Sequence, residues 1–345
     1  MNNTILITGG LGFIGSNFIR HFLKAHPSCQ LINLDKLTYS ANPENIRELS
    51  ADPRYHFVQG DILDEALLSR LGQEYPIQAV VHFAAESHVD RSISGSKEFI
   101  QTNILGTHTL LDAFKHYWQN SLAQNSAFRF LYISTDEVYG TLGKEGLFHE
   151  ETPFRPNSPY SASKAGADLL VRAYFETYGF PILIVRPSNN YGPFQFPEKF
   201  IPLMITNLLE DQPIPVYGRG ENVRDWLYVE DACRAIDQVL EKGKIGEAYN
   251  IGGESERTNI EVARQVLSYF KKGENYLQFV TDRPGHDLRY ALSNAKIKKE
   301  IGWHPAMNFS EGLLQTIQWY EGHARWWKPL KERLQQESQG FWTRP

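Results

Sequence analysis

The sequence predicts an α/β protein, with a doubly wound parallel sheet and a smaller, discontinuous α/β domain. Two observations support this fold class. In the first half of the chain, short apolar runs alternate with longer stretches whose hydrophobic residues recur at helical spacing. In the second half, prolines interrupt this alternation. A parallel sheet needs a crossover, usually a helix, between successive strands, and only the first half offers that rhythm throughout.

Six strand-like runs are predicted in the first half, and a seventh lies near residue 250. Their ranges are 5–8, 30–35, 56–59, 79–84, 129–134, 182–186 and 248–252. Doubly wound sheets bind ligands beyond the carboxyl ends of their strands. We therefore expect the chemistry in the segments that follow these runs, at 61–62, 83–87, 134–137 and 187–191.

The two domains are predicted to be interleaved along the chain. Six prolines between positions 187 and 215 favour loops and short elements, whereas a helical stretch at 229–241 and the run at 248–252 resume the first pattern. We assign 1–187 and 224–252 to the larger domain, and 188–223 and 253–345 to the second. The second includes a helical tail from residue 312, whose tryptophans are expected to pack: Trp319, Trp326, Trp327 and Trp342.

A glycine motif joins the first strand to the first helix. Gly9, Gly12 and Gly15 are spaced so that the backbone can turn tightly and approach a pyrophosphate. The helix that begins near Gly12 would offer this anion its free N–H groups and positive dipole end. Asp35 ends the second strand about 20 residues later, where a carboxylate that binds an adenosine ribose is expected. The motif predicts NAD rather than NADP, because Asp35 would repel a 2′-phosphate; the alternative is a glycine turn followed by a surface carboxylate.

Composition excludes several functional classes. A formal charge of −5 and a pI near 6.1 give no basic footprint for nucleic acid or anionic membranes. Cys29 and Cys233 lie far apart without metal-binding spacing, as is typical of a reducing compartment. The first strand begins by Thr4, which leaves no room for a signal peptide, and no apolar run reaches the ~18 residues of a membrane span. We expect a soluble cytoplasmic protein without nucleic-acid or membrane partners.

Tyr160 and Lys164 begin a long amphipathic pattern. At helical spacing of i and i+4 the two side chains share one face. A lysine ammonium there is expected to lower the phenol pKa and favour the phenolate as a base. The alternative is coincidence, since any helix can carry this spacing.

Two adjacent carboxyls, Asp136 and Glu137, follow the strand-like run at 129–134. They could act as acid and base if their environments separate their pKa values. The alternative is structural, because Ser134 and Glu137 also fit a capping box at a helix start.

The segment 82–90 follows another strand. Its small residues Ala84 and Ala85 allow backbone to pass close to a flat cofactor. His88 lies between Glu86 and Asp90, but no other part of the chain supplies metal ligands at suitable spacing. No metal is expected.

These motifs together resemble the extended short-chain dehydrogenase/reductase family, and within it the dTDP-glucose 4,6-dehydratases. The pair after Thr135 is typical of the dehydratases, whereas relatives that only epimerise or decarboxylate nucleotide sugars usually lack it. Phe200 and Ala41 depart from the family pattern, which usually has Leu and Gly there. The matching segments, which extend over most of the chain, are 9–16, 35–39, 83–93, 134–140, 160–164, 186–192, 196–202, 222–231, 249–253 and 283–290.

The resemblance implies a role for each matching position. The catalytic residues would be Thr135, Asp136, Glu137, Tyr160 and Lys164. NAD would be bound by Gly9, Gly12, Phe13, Ile14, Gly15, Asp35, Lys36, Leu37, Thr38, Asp61, Ile62, Phe83, Ala84, Ala85, Ser87, Thr102, Tyr160, Lys164 and Asn190. The nucleotide sugar would be bound by Ser87, Thr135, Asn189, Lys199, Phe200, Pro215, Val216, Tyr217, Arg224, Asn259, Arg283 and His286.

The residue chemistry agrees for the diphosphate. Arg224 and Arg283 offer planar forks for its oxygens, although Arg224 could instead form an ion pair with Asp225. The implied reaction is a redox-neutral dehydration with tightly bound NAD. Tyr160 would take the C4 hydroxyl proton, Glu137 the C5 proton, and Asp136 would protonate the departing C6 hydroxyl.

Two alternative functions are considered, and an oligomeric state is predicted. A 4-epimerase or decarboxylase would need Tyr160 and Lys164 but no acid for a leaving hydroxyl. A non-catalytic NAD sensor could lack the tyrosine, the lysine or the carboxylates, and this chain keeps all of them. The family resemblance implies a homodimer, with the apolar helix faces at 99–118 and 162–178 paired across a two-fold axis.

Overall fold

The computed structural model describes residues 4–121 and 127–337. The strands in these ranges are β1 (Thr4–Thr8), β2 (Gln30–Asp35), β3 (Tyr55–Gln59), β4 (Ile77–His82), β5 (Arg129–Ile133), β6 (Ile182–Pro187), β7 (Asn189–Tyr191), β8 (Ile214–Tyr217), β9 (Val223–Tyr228), β10 (Ala248–Ile251), β11 (Glu256–Thr258) and β12 (Leu277–Val280).

Helices connect most of these strands. They are α1 (Phe13–Ala25), α2 (Glu65–Glu74), α3 (Val89–Ser94), α4 (Lys97–Phe99), α5 (Thr107–Ser121), α6 (Pro159–Tyr178), α7 (Phe200–Leu209), α8 (Val229–Lys242), α9 (Asn259–Tyr269), α10 (Ala295–Ile301), α11 (Phe309–Gly322) and α12 (Ala324–Glu337). A π-helical segment, Ile100–Gly106, joins α4 to α5, and 3-10 segments lie at Pro43–Leu49, which is kinked at Ile46, and at Asp136–Tyr139 and Glu274–Tyr276.

Seven strands form one parallel sheet in the order β10-β6-β5-β4-β1-β2-β3. The order reverses beside β1, which pairs with both β2 and β4. This is the switch point at which doubly wound sheets bind ligands. The predicted fold class is confirmed, and each predicted run coincides with a strand of this sheet to within two residues at either end.

The largest difference concerns β4, predicted at 79–84 and observed at Ile77–His82. The N–H of Phe83 still reaches the Thr8 carbonyl, but that of Ala84 bonds to the Thr8 hydroxyl, 3.3 Å away. The strand ladder therefore ends before Ala84, and the following residues are free to line a cavity.

Both faces of the sheet are covered. Ile5 and Ile7 of β1 point to the layer of α1 and α8, whereas Leu6 points to the layer of α2, α5 and α6. Alternate residues of a strand face opposite sides, so a strand that is buried on both faces needs a continuous apolar run. This explains why the strands were visible in the sequence.

A second group of elements lies after residue 187. The strands β7, β9 and β11 form one small sheet, and β8 pairs with β12. The side chains of α7, α9 and α11 share a hydrophobic core with β8 and β9. The helical prediction for the tail is confirmed through Glu337; Trp327 is 2% exposed in this core and Trp319 and Trp326 pack against it, while Trp342 lies outside the described residues.

The chain returns to the large sheet after β9. Helix α8 packs beside α1, and β10 pairs with β6. Within the described ranges, no helix is both long and apolar enough to cross a membrane.

Candidate active site

The glycine loop between β1 and α1 has no room for side chains at two positions. A Cβ on Gly9 would lie 2.6 Å from the backbone nitrogen of Ala84, and one on Gly15 would lie 2.4 Å from the Gly9 oxygen. Gly9 also has a φ of +73°, which favours glycine. Gly12 precedes α1 in an extended conformation, so the loop leads directly into the amino end of the helix.

Asp35 lies at the carboxyl end of β2, beside this loop. Its carboxylate accepts hydrogen bonds from the backbone N–H groups of Leu11 and Leu37, both at 2.9 Å. Burial raises its pKa, and the two hydrogen bonds oppose that effect. The carboxylate is thus held at the edge of the cavity, at the end of β2 predicted for a ribose ligand.

One cavity extends from the glycine loop to α6, and most predicted NAD residues line it. These are Gly9, Gly12, Phe13, Ile14, Gly15, Asp35, Lys36, Thr38, Asp61, Ile62, Phe83, Ala84, Ala85, Ser87, Thr102, Tyr160 and Lys164. Leu37 does not line it, because its side chain packs against the hydrophobic core. Asn190 lines the neighbouring cavity instead.

The same cavity has a wall that was not predicted. Gln195, Phe196 and Glu198 line it from the loop after β7. Lys199 also lines it, although it was predicted for the nucleotide sugar alone. The family match at 196–202 assigned no role to Phe196 or Glu198, because the loop approaches the cavity through contacts with residues far away in the sequence.

Helix α6 carries Tyr160 and Lys164. It begins after Ser158, which forms a reciprocal capping box with Ser161. Tyr160 therefore lies in the first turn and Lys164 one turn later, both buried and both at the NAD cavity. The Lys164 ammonium donates to the Ile133 carbonyl at 2.7 Å, at the end of β5.

The pKa values of Tyr160 and Lys164 are shifted mainly by burial. Burial raises the pKa of Tyr160, the Glu137 charge adds to the increase, and a hydrogen bond with Thr135 opposes it. Burial also lowers the pKa of Lys164 to about 7, against the charge of Asp168. The expectation stays a prediction: the ammonium donates to the Ile133 carbonyl, and the phenol is next to Thr135 and Glu137.

Asp136 and Glu137 begin a 3-10 turn directly after β5. The residue that caps this turn is Thr135, whose hydroxyl accepts from the Glu137 N–H at 3.3 Å and lies 3.2 Å from Asp136 Oδ1. The alternative of a capping box between Ser134 and Glu137 is wrong, since the buried Ser134 hydroxyl has no hydrogen-bond partner among the described residues. The Glu137 side chain instead lines a second cavity.

The two carboxyls have different surroundings. Burial and the charges of Glu137 and Asp225 raise the pKa of Asp136 well above its usual value, and its Oδ2 is buried without a partner in the described part of the chain. Burial also raises the pKa of Glu137, but Arg224 and Arg283 oppose that increase. This environment favours a protonated Asp136 and leaves Glu137 easier to ionise, which is the division that an acid and a base require.

The second cavity lies next to the first and is lined by most predicted substrate residues. These are Ser87, Asn189, Lys199, Phe200, Pro215, Tyr217, Arg224, Asn259, Arg283 and His286. The two cavities share Ser87, Gln195, Glu198 and Lys199. A ligand in one can therefore approach a ligand in the other.

Val216 and Thr135 do not line the second cavity. Pro215 and Tyr217 face it from β8, so Val216 between them points to the core and is fully buried. The Val216 side chain therefore does not line this cavity, and substrate binding at this position stays a prediction. The Thr135 hydroxyl is engaged with its own turn and with Tyr160.

The two arginines of this cavity, Arg224 and Arg283, are hydrogen-bonded to backbone carbonyls and to a carboxylate respectively. Arg224 donates to the carbonyls of Val223 and Asp287, whereas Asp225 accepts from the N–H groups of Gly253 and Ser255. The alternative ion pair between Arg224 and Asp225 is therefore not formed. Arg283 makes two hydrogen bonds to Asp90, at 2.7 and 2.9 Å.

His88 has two carboxylates near its ring nitrogens, Asp90 at 3.8 Å and Glu198 at 3.7 Å. Within the described ranges, the one cluster with the spacing of a metal site is His26, Asp237 and Glu241. It lies at the carboxyl end of α1, away from the glycine loop at the other end of that helix.

Comparisons with known proteins agree with this geometry. The family model described as GDP-mannose 4,6 dehydratase matches residues 6–316. The chain is 51% identical to a dTDP-glucose 4,6-dehydratase of Neisseria meningitidis serogroup B, over 94% of this chain and 95% of that protein. It is 50% identical to the enzyme of that name from Haemophilus influenzae, over 92% and 97%.

Solved structures give the same result. The dTDP-glucose 4,6-dehydratase of Bacillus anthracis in complex with NAD is 49% identical, with a TM-score of 0.87 over 95% of this chain and 99% of that one. The Streptomyces venezuelae enzyme of the same name, with NAD bound, is 47% identical, with a TM-score of 0.90 over the same shares. A Thermus thermophilus UDP-glucose 4-epimerase shares the fold at 28% identity. With its Asp-Glu pair, its NAD cavity and these relatives, the chain belongs to the dTDP-glucose 4,6-dehydratase family of extended short-chain dehydrogenases/reductases.

Proposed function

We propose that the chain converts dTDP-glucose into dTDP-4-keto-6-deoxyglucose and water, for deoxysugar biosynthesis, with NAD as a resident cofactor. The observation that carries this proposal is the pair Asp136 and Glu137 beside Tyr160, between an NAD cavity and an arginine-lined cavity. Epimerisation and decarboxylation give no task to a buried, protonated acid such as Asp136. A non-catalytic sensor would need none of the three side chains.

The first step is oxidation at C4. When bound, NAD accepts a hydride from C4 and later returns it to C6, so that the sugar is neither oxidised nor reduced overall. Tyr160 takes the proton of the C4 hydroxyl. Lys164, with its ammonium fixed to the Ile133 carbonyl, places a positive charge one helical turn away.

The second step is loss of water. The C4 ketone acidifies the C5 hydrogen, and Glu137 removes that proton while Asp136 donates its own to the departing C6 hydroxyl. The C5–C6 double bond that forms then receives a hydride at C6 and a proton at C5. Asp136 suits the acid role because burial and the Glu137 charge raise the pKa of its carboxyl well above the usual value, which favours the protonated form.

Cationic groups in the second cavity suit the diphosphate. Lys199, Arg224 and Arg283 all line it, and two of them are planar forks that match phosphate oxygens. The carboxylate of Asp90, which holds Arg283, orients that guanidinium from the side of α3.

We assign residues 1–187 and 224–252 to NAD binding, and 188–223 and 253–345 to binding of the nucleotide sugar.

Incubation of the protein with dTDP-glucose, followed by NMR and mass analysis of the product, tests the function. We expect the 4-keto-6-deoxy sugar with one deuteron from labelled water at C5. We also expect UDP-glucose to react less efficiently; one methyl group distinguishes the bases, so a 10- to 200-fold difference in kcat/KM is the upper range. Formation of a 4-epimer instead would refute the proposal, and equal rates for both nucleotides would refute the preference alone.

Asp35 is expected to select NAD over NADP. In Asp35→Ala, removal of the carboxylate relieves repulsion of the 2′-phosphate, so the ratio of the two dissociation constants should fall at least tenfold. Titration of cofactor-free protein with both cofactors measures this ratio. Asp52→Ala is a matched control, because Asp52 pairs with Arg54 at the surface. Equal affinity of the unmodified protein for NAD and NADP would contradict the assignment.

A homodimer is proposed from the apolar residues that remain exposed along the helical segment 97–121 and α6. Ile100, Leu105, Leu169 and Tyr178 are each about half exposed. A two-fold axis through both segments would cover all four side chains in a four-helix bundle.

We also propose a cytoplasmic location, without nucleic-acid or membrane partners, which the two free and buried cysteines support.

Leu169→Glu should convert the dimer to a monomer, because it places a charge at the centre of the proposed interface. Light scattering at micromolar concentration measures the mass. Phe279→Glu, at an equally exposed phenylalanine on β12, should remain dimeric. A monomeric parent protein would rule the assembly out.

A further inference from the structure

Tyr39 belongs to the loop that follows Asp35, and its side chain reaches across to the second domain. Its hydroxyl donates a hydrogen bond of 2.9 Å to Glu198 Oε1, in the loop after β7. The guanidinium of Arg91, in α3, lies 3.7 Å from the centre of the Tyr39 ring. Phe196 meets the same ring edge-on, at 5.8 Å between centroids. Two separate parts of the chain, α3 and the loop after β7, therefore converge on the Tyr39 side chain.

Glu198 is the common partner in this group. Its side chain is 7% exposed, and Arg91 Nε lies 3.5 Å and His88 Nε2 3.7 Å from Glu198 Oε2. Burial raises the pKa of Glu198, whereas the charges of Lys199 and Arg91 oppose the increase. A buried hydrogen bond to such a carboxyl is costly to break, because Glu198 Oε1 then loses the donor that Tyr39 supplies.

The two sides of this contact are the two walls of the NAD cavity. Lys36, Thr38 and Ser40, on either side of Tyr39 in the chain, line one wall. Phe196 and Glu198 line the other. The bond from Tyr39 to Glu198 therefore ties together two segments that line the cavity.

We propose that Tyr39, Glu198 and Arg91 form a clasp that retains NAD through the catalytic cycle. The inference rests on the redox-neutral reaction proposed above. In that reaction the hydride removed from C4 must return to the same sugar, so a cofactor that leaves in mid-cycle strands an oxidised intermediate. The clasp supplies this retention from side chains that take no part in the chemistry. The three residues are positioning residues for the cofactor.

The experiment compares Tyr39→Phe with a matched surface variant. Tyr39→Phe removes the hydroxyl and keeps the ring contacts, whereas Tyr269→Phe deletes an exposed hydroxyl that donates to Glu321 at 2.8 Å. Exchange of bound NAD for radiolabelled NAD is followed after gel filtration, without substrate and during turnover. We expect exchange about tenfold faster in Tyr39→Phe, since a hydrogen bond to a charged group is lost. Tyr269→Phe should match the parent.

A second variant, Arg91→Met, should accelerate exchange in the same direction. Added NAD should restore the rate of C4 oxidation in both variants to that of the parent, which a general loss of folding would not allow. Exchange in Tyr39→Phe and Arg91→Met at the parent rate would overturn the clasp. A parent protein that retains NAD but does not dehydrate dTDP-glucose would refute the proposed function while leaving the exchange comparison valid.

Discussion

Tyr160→Phe is expected to lower the turnover of dTDP-glucose by a factor of about 10²–10⁴, the usual contribution of a general base. The phenol oxygen is the group that takes the C4 hydroxyl proton, and the ring alone cannot replace it. Tyr160 is buried at the NAD cavity, next to Thr135 and Glu137. Loss of the hydroxyl should leave the cavity intact, so NAD should still copurify with the variant.

Rapid mixing of Tyr160→Phe with substrate provides the measurement. Absorbance of reduced nicotinamide should not appear, because the first step itself is blocked. The control is Tyr276→Phe, which deletes a surface hydroxyl bonded to Asp211 and should behave as the parent. Rapid formation of reduced nicotinamide in Tyr160→Phe would show that another group takes the C4 proton.

The large sheet could be predicted because its signals are local. A strand that is covered on both faces must be apolar along its whole length. The turn after β1 packs against the backbone of Ala84, so only glycine fits at position 9. The ends of the strands mark the edge at which ligands bind. The residues of the glycine loop and of the Asp-Glu turn were therefore found from sequence.

The wall formed by Gln195, Phe196 and Glu198 could not be predicted in the same way. Glu198 lines the cavity and is held there by a hydrogen bond from Tyr39, which lies 159 residues earlier in the chain. No rule of sequence spacing connects these two positions. The inward orientation of the Val216 side chain was missed for a related reason. The strand β8 was not predicted, so the alternation that turns Pro215 to the cavity and Val216 to the core was not visible.

The contacts and pKa values of the catalytic side chains also could not be predicted from the sequence. The spacing of Tyr160 and Lys164 predicted a shared helix face, but not that the ammonium would bind the Ile133 carbonyl. That contact depends on how α6 packs on the end of β5. The different pKa surroundings of Asp136 and Glu137 come from Asp225, Arg224 and Arg283, which lie far away along the chain and cannot be placed from two adjacent positions in a sequence.

Glu137→Gln should block the reaction after the first hydride transfer. C4 oxidation needs Tyr160 and Lys164, which the change leaves in place, whereas removal of the C5 proton needs the Glu137 carboxylate. Reduced nicotinamide should therefore accumulate on the protein, and exchange of the C5 hydrogen with deuterated water should stop. Stopped-flow absorbance and NMR measure the two effects. The reverse pattern, normal C5 exchange without accumulation, would remove Glu137 from the base role.

Asp136→Asn should fail one step later. C5 exchange should continue, while loss of water slows by a factor of about 10²–10⁴ because the leaving hydroxyl is no longer protonated. In the parent, water loss should decline as the pH rises through the raised pKa of Asp136, since the acid form is then lost. The Asn variant does not titrate, so this alkaline decline should disappear.

Stability separates this catalytic role from a structural one. The pKa of Asp136 is higher in the folded protein than in the unfolded chain, so folding favours its protonated form and stability is lost as the pH rises through the folded value. Asn cannot lose that proton, so Asp136→Asn should have a Tm at alkaline pH equal to or above that of the parent. A structural role for the turn predicts the opposite, a lower Tm with normal turnover, in both Asp136→Asn and Glu137→Gln. Turnover lost at unchanged or higher Tm is therefore the result that assigns the pair to chemistry.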